Sequence, residues 1–179
     1  RRCPNLGPTW DDLPLAQRLG EALRLPVVIE NDVNVGAVGE YTYGAGQGTR
    51  DLLAIFVGTG IGGGLILDGQ LRPGARYSAG EVGHMVLLAD GPLCGCGQRG
   101  HAEALASRTA IERDVRAAIR GGRPSVLATG PGVAQEAPMT AGVIANALEA
   151  GDGVVAEAVA RAQFYLGLLV SACVNLIDP

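Results

Sequence analysis

The stretch Leu52-Leu53-Ala54-Ile55-Phe56-Val57-Gly58-Thr59-Gly60-Ile61-Gly62-Gly63-Gly64-Leu65-Ile66-Leu67-Asp68-Gly69 decides the fold class. Short apolar runs bounded by turn residues read as buried strands, and an Asp-Gly pair between such runs is the strongest short hairpin signal. Residues 52–72 are therefore expected to form a β-hairpin whose first end carries a glycine-rich loop, residues 58–64. Five glycines with Thr59 would let backbone N–H groups and a hydroxyl approach a phosphate. A wide hairpin bend would ask for the same glycines. The loop lacks the lysine of a P-loop and the following helix of a dinucleotide fingerprint.

Working towards the N-terminus, residues 33–41 suggest a helix closed by Gly44. Ahead of it, Val27-Val28-Ile29 reads as a short buried strand leading to Glu30-Asn31-Asp32. Strand ends of α/β sheets are where ligands dock. A carboxylate there, Asp32, can take the proton of an attacking substrate hydroxyl, with Asn31 bonding a neighbouring hydroxyl. Capping the helix is the plainer role open to Asp32. Residues 11–24 carry Leu15, Leu19 and Leu23 at helical spacing, and Pro26 stops that helix.

Working towards the C-terminus, residues 74–102 are glycine-rich and have no helical period. A helix returns near Glu103 and runs to Arg120. After a loop extending to Pro138, Thr140 caps a helix that stops at Gly151, and a last helix runs from Gly153 to Leu176. Its stripe is Val155, Val159, Ala162, Leu166, Leu169, Val170 and Cys173. Alternating strands and helices around a hairpin favour an α/β layered domain, with residues 1–179 forming one domain.

The irregular segment concentrates rare residues. Both histidines of the chain, His84 and His101, lie within it, together with Cys94 and Cys96. Zinc takes four tetrahedral nitrogen and sulfur ligands, and a closed set of four protein ligands is structural rather than catalytic. Gly91, Gly95, Gly97 and Gly100 would let the backbone fold tightly enough for the four to converge. The competing account is two unrelated histidines beside a pair of thiols. It leaves unexplained why a segment too poor in apolar residues to pack itself holds them all. Two thiolates are too few for the usual iron–sulfur clusters. Glu81 and Glu103 flank the quartet, so the zinc would draw both towards one region, where they can bond adjacent hydroxyls of a polyol. Either acid alone would read as a surface residue.

Composition narrows the partners. Net charge is −4, and all 14 basic residues are arginine. Any phosphate must therefore be met by backbone N–H groups, arginine or a metal rather than by lysine. Arg108, Arg113, Arg116, Arg120 and Arg123 are interrupted by Glu112 and Asp114, which suits a solvated helix face better than a nucleic-acid footprint. No uninterrupted run of about 18 apolar residues suggests a membrane span, and Arg1-Arg2-Cys3-Pro4 does not open a signal peptide. A soluble cytoplasmic protein is expected, without membrane or nucleic-acid partners. Cys173 reads as a core residue, and Cys3 has no assignable role.

Taken together, Pro4-Asn5-Leu6, residues 26–40 with Glu30-Asn31-Asp32-Val33-Asn34, residues 57–64, Gly80-Glu81-Val82-Gly83-His84 and residues 94–103 resemble the ROK family of sugar kinases and repressors. The resemblance implies a ribonuclease H-like fold of the actin and sugar-kinase superfamily with a zinc-binding loop. It implies ATP-dependent phosphorylation of a hexose or N-acetylhexosamine, with Mg2+ accompanying the ATP. Asp32 matches the family's base. Asn31, Asp32, Glu81, His84 and Glu103 match its sugar contacts, and Thr59 and Gly60 its phosphate contacts. The metal set would be His84, Cys94, Cys96 and His101, although most relatives carry cysteine at the last position. His84 would then serve zinc with one ring nitrogen and a sugar hydroxyl with the other. The same resemblance implies dimerisation, and a sugar-responsive repressor or a non-catalytic sugar-binding remnant are its other outcomes. Family kinases also carry an Asp-x-Gly-Gly-Thr ATP loop and a later glycine-rich adenosine turn, neither of which occurs in these 179 residues. The isolated chain is accordingly expected to be incomplete and inactive.

Overall fold

A computed structural model describes residue 10 and residues 12–128 and 138–179. Pro4-Asn5-Leu6, Cys3 and most of the loop before Pro138 lie outside the described residues. The helices are α1 (Leu15–Leu23), α2 (Asp32–Tyr43), α3 (Ala102–Ala106), α4 (Arg108–Arg120), α5 (Ala141–Glu149) and α6 (Gly153–Ile177), and the strands are β1 (Leu52–Val57), β2 (Ile61–Leu67) and β3 (Gln70–Leu71). The strands form an antiparallel sheet in the order β1-β2-β3, with Ala54 opposite Gly64 and Ile66 opposite Leu71. Asp68 and Gly69 both have positive φ, 56° and 71°, as a two-residue type I′ turn requires.

The glycine run divides into two jobs. Only Gly58 to Gly60 form the turn; Gly62, Gly63 and Gly64 lie inside β2, on the line where other elements seat. A Cβ on Gly62 would sit 2.7 Å from Val33 Cγ2, and one on Gly64 would sit 2.4 Å from Ala37 Cβ. The bare strand thus lets α2 lie directly on the sheet, which brings the α2 N-terminus beside the turn. The expected seven-residue loop is a short turn plus a packing face.

Two buried clusters hold the rest together. Ile61, Val82, Ala102, Ala106, Ala162, Leu169 and Cys173 join β2, the 3₁₀ turn Val82–His84, α3 and the stretch of α6 from Ala162 to Cys173. Val115, Met139, Ile144, Ala147, Val154, Val155 and Ala158 join α4, α5 and the N-terminal half of α6. Full burial of a side chain such as Leu169 contributes roughly 1.5–3 kcal/mol. Thr140 caps α5 through a bond to Val143 N–H, as the sequence suggests, and Cys173 is a core residue.

Four sequence expectations change. Residues 27–29 form no strand: Val28 is 91% exposed and Ile29 49%, because no strand among the described residues offers them a ladder. The α1 stripe is likewise unburied. The helix expected from 103 to 120 breaks at Ser107, whose extended ψ of 165° ends α3 and whose hydroxyl caps α4 at Ala110 N–H. Finally, α6 is by length and composition long and apolar enough to cross a membrane, with mean hydropathy 1.4. Counting uninterrupted apolar residues overlooks it because Gln163, Ser171 and Asn175 punctuate the helix.

Candidate functional site

Asn31 and Asp32 share the α2 N-terminus but not a task. Asn31 is the cap, its Oδ1 accepting from Val33 N–H at 2.9 Å and Asn34 N–H at 3.3 Å. Glu30 Oε1 holds this cap by accepting from Asn31 N–H and from the Asn34 amide. Asp32 is relieved of capping. One of its oxygens accepts from Val33 N–H at 3.0 Å.

A cleft of about 860 Å3 opens beside it, lined by Asp32, Thr59, Gly60, Glu81, Glu103 and Arg113 among others. Glu103 spans the cleft: Oε2 accepts from Ile61 N–H at 3.0 Å, and Oε1 lies 3.5 Å from Cys94 Sγ. The structure therefore brings the predicted Asp32, Thr59, Gly60, Glu81 and Glu103 to one cavity. Asn31 and His84 are not among its lining residues.

The His/Cys quartet converges behind this wall. The ligand atoms of His84, Cys94, Cys96 and His101 all lie within 4.8 Å of one another. His84 Nδ1 is 3.3 Å from His101 Nδ1, Cys96 Sγ is 3.3 Å from His101 Nδ1, and Cys94 Sγ is 3.8 Å from His84 Nδ1. Zinc at about 2.0–2.1 Å from nitrogen and about 2.3 Å from sulfur needs tetrahedral edges of about 3.3 Å between nitrogens and about 3.6 Å from nitrogen to sulfur. The three distances lie within about 0.3 Å of these edges and the whole set within 4.8 Å, so the donor set fits a four-coordinate ion with both Nδ1 atoms as ligands. Cys94 and His101 are buried, at 3% and 7% exposure. Burial, then hydrogen bonds with Cys96 and Glu103, push the Cys94 thiol up to about 11, so metal binding at neutral pH must displace its proton.

Sequence reading missed the residues behind the turn. Arg108 N–H donates to Gly58 O at 2.9 Å, its guanidinium Nη2 donates to Thr59 Oγ1 at 2.8 Å, and the Thr109 hydroxyl donates to Thr59 O at 2.7 Å. The expected solvated arginine face is instead largely paired and partly buried: Arg108 and Arg116 both meet Glu112, and Arg113 meets Asp114. The available signal was the lysine-free composition, which obliges arginine to serve wherever a long cation is needed.

A carboxylate at a helix start and a glycine turn thus line one cleft of an α/β chain, beside a His/Cys quartet. The ROK family model matches residues 2–179, and the chain belongs to the ROK family. It is 35% identical over 176 residues to a glucokinase of Halalkalibacterium halodurans, covering 98% of this chain and 52% of that protein. It is 32% identical over 176 residues to a xylose repressor of Caldicellulosiruptor bescii, covering 98% of this chain and 43% of the repressor. Among solved structures, a ROK family glucokinase from Streptomyces griseus in complex with glucose and AMPPNP superposes with a TM-score of 0.78 at 36% identity, over 93% of this chain and 54% of that one. The chain thus spans about half the length of the relatives it matches.

Proposed function

We propose that this chain carries the sugar-binding and phosphate-turn half of an ATP-dependent sugar kinase of the glucokinase or N-acetylhexosamine kinase type. The observation that carries the reading is the shared cleft of Asp32, Thr59, Gly60, Glu81 and Glu103. Asp32 takes the proton of the attacking sugar hydroxyl, Glu81 and Glu103 accept from neighbouring hydroxyls, and the Thr59-Gly60 turn donates to the transferred phosphoryl group. Asn31 and His84, which do not line the cleft, are the remaining sugar contacts of this reading. The His84, Cys94, Cys96 and His101 set holds zinc, which supplies a cross-link rather than Lewis acidity because four protein ligands leave no open position. ATP arrives with Mg2+. The protein is cytoplasmic and dimeric, and the isolated 179 residues form one domain without turnover of their own.

The test is Asp32→Asn in the kinase that contains this chain. Turnover should fall by about 10³-fold or more while calorimetric sugar binding persists. Near-normal turnover in that variant would remove Asp32 from the base role. The repressor relative supports a second reading, in which the same cleft senses sugar without phosphorylating it. Sugar binding with no phosphorylation by the unsubstituted protein would favour it.

A further inference from the structure

We infer that Arg108 is a positioning residue for an anion at the Thr59-Gly60 turn, acting by occupying one acceptor lone pair of Thr59 and so turning its hydroxyl proton away from α4. The inference rests on the phosphate reading of that turn. A threonine hydroxyl has one proton and two lone pairs. Because Arg108 Nη2 donates to Thr59 Oγ1 at 2.8 Å, one lone pair is occupied and the proton is turned away from the guanidinium, on a residue that lines the cleft. The other acceptors of the turn are engaged from the same side: Gly58 O by Arg108 N–H, and Thr59 O by the Thr109 hydroxyl. Gly60 O accepts from Gly58 N–H at 2.9 Å within the turn itself. The guanidinium, itself paired with Glu112, stands one hydrogen bond behind Thr59 in a chain with no lysine, while the Glu103 carboxylate accepts from Ile61 N–H at the end of the same turn.

Arg108 is itself held in place. Nη1 donates to Met139 O at 2.5 Å, and the guanidinium pairs with Glu112 at 3.6 Å. Glu112 in turn accepts from Met139 N–H at 3.1 Å and pairs with Arg116 at 2.9 Å. Both side chains are largely buried, at 23% and 16% exposure, so the fork cannot swing freely. One residue therefore ties the turn to the buried Met139 and sets the direction of the Thr59 proton.

The experiment is a double-mutant cycle on tripolyphosphate binding by the full-length protein, measured by calorimetry, with thermal melting and zinc content followed in every variant. Arg108→Ala should weaken binding about tenfold, since hydrogen bonds to charged groups are the strong ones. Thr59→Val should weaken it comparably. In the Thr59→Val background, Arg108→Ala should cost far less than it does alone, because there is no longer a hydroxyl to direct. Arg108→Lys, which keeps the charge but loses the fork, should recover only part of the loss. Purely additive losses, or a flat response to Arg108→Ala with binding otherwise normal, would overturn the positioning role. Absence of tripolyphosphate binding by the unsubstituted protein, or indifference to Thr59→Val and Gly60→Ala, would instead overturn the phosphate reading beneath it.

Discussion

Between Val82 and His101 the chain has one 3₁₀ turn and two isolated bridges, Val86 to His101 and Leu93 to Arg99, whereas the corner of α4, α5 and α6 is three helices around a buried apolar cluster. In the loop, Val86, Leu88 and Leu93 face solvent, while Val82, Met85 and Leu87 pack onto the first buried cluster at its near end. The proposed zinc would draw four of the loop's side chains to one point. In the corner, Val115, Met139 and Val155 are fully buried, and one carboxylate completes the arrangement. Asp152 caps α6 through Val154 and Val155 N–H and also accepts from the Ser125 hydroxyl and Val126 N–H, at 2.6–3.0 Å. A loop organised by ligands and a corner organised by burial should fail separately.

The largest break in that comparison is metal removal. Chelation, or His101→Ala, should abolish zinc binding and strip hydrogen-exchange protection from residues 86–101, because metal-binding free energy is folding free energy for such a segment. The α4–α6 corner should keep its protection, and an unchanged loop after verified metal loss would dissolve the distinction. Gly100→Ala comes next. Its φ is 72°, and an added Cβ would fall 1.6 Å from Leu88 O, so the backbone must move. A loss of about 3 kcal/mol or more with reduced zinc content is expected from denaturant melts and metal analysis.

Asp152→Ala attacks the other region. It removes a cap and leaves Ser125 and Val126 without their acceptor, for an expected loss of about 2–3 kcal/mol with zinc content unchanged. The two regions should also differ in pH response. Burial opposes ionisation of Asp152, but the bonds from Ser125, Val155, Val126 and Val154 outweigh it and hold its pKa below the ordinary value. Its stabilisation is therefore full above an unfolded-state pKa of about 3.9 and is lost as pH falls through the lower folded value. Zinc affinity should decline at higher pH than that, since the ligand thiols must lose protons. Acid titration followed by metal release and by circular dichroism should show two separate steps. The smallest effect is Gly97→Ala: its φ is 91° but nothing lies within 4 Å of the added carbon, so a cost of about 1–2 kcal/mol is expected, in contrast to Gly100.

The quartet was legible because its residue types are scarce and clustered, and scarcity survives without any geometry. Local signals also carried through: Asp68-Gly69 turned as its conformational preferences require, and Thr140 capped its helix. What sequence could not show depended on distant neighbours. Residues 27–29 have strand composition but no partner among the described residues, and periodicity alone cannot supply one. Gly62 and Gly64 looked like loop because the residues they accommodate, Val33 and Ala37, belong to another element. Arg108 looked like a surface charge because the hydroxyl it holds is 49 residues away. Ser107 broke a continuous helical pattern, and that break lets the α4 start reach the turn.

The 25 residues of α6 run about 37 Å, and the helix belongs to both buried clusters, Val154 to Ala158 to one and Ala162 to Cys173 to the other. It works as a common axle. Damage to the ligand-organised side should loosen its far end near Cys173, and damage at Asp152 its near end. The amide exchange profile along this single helix would therefore read out which side of the molecule had given way first.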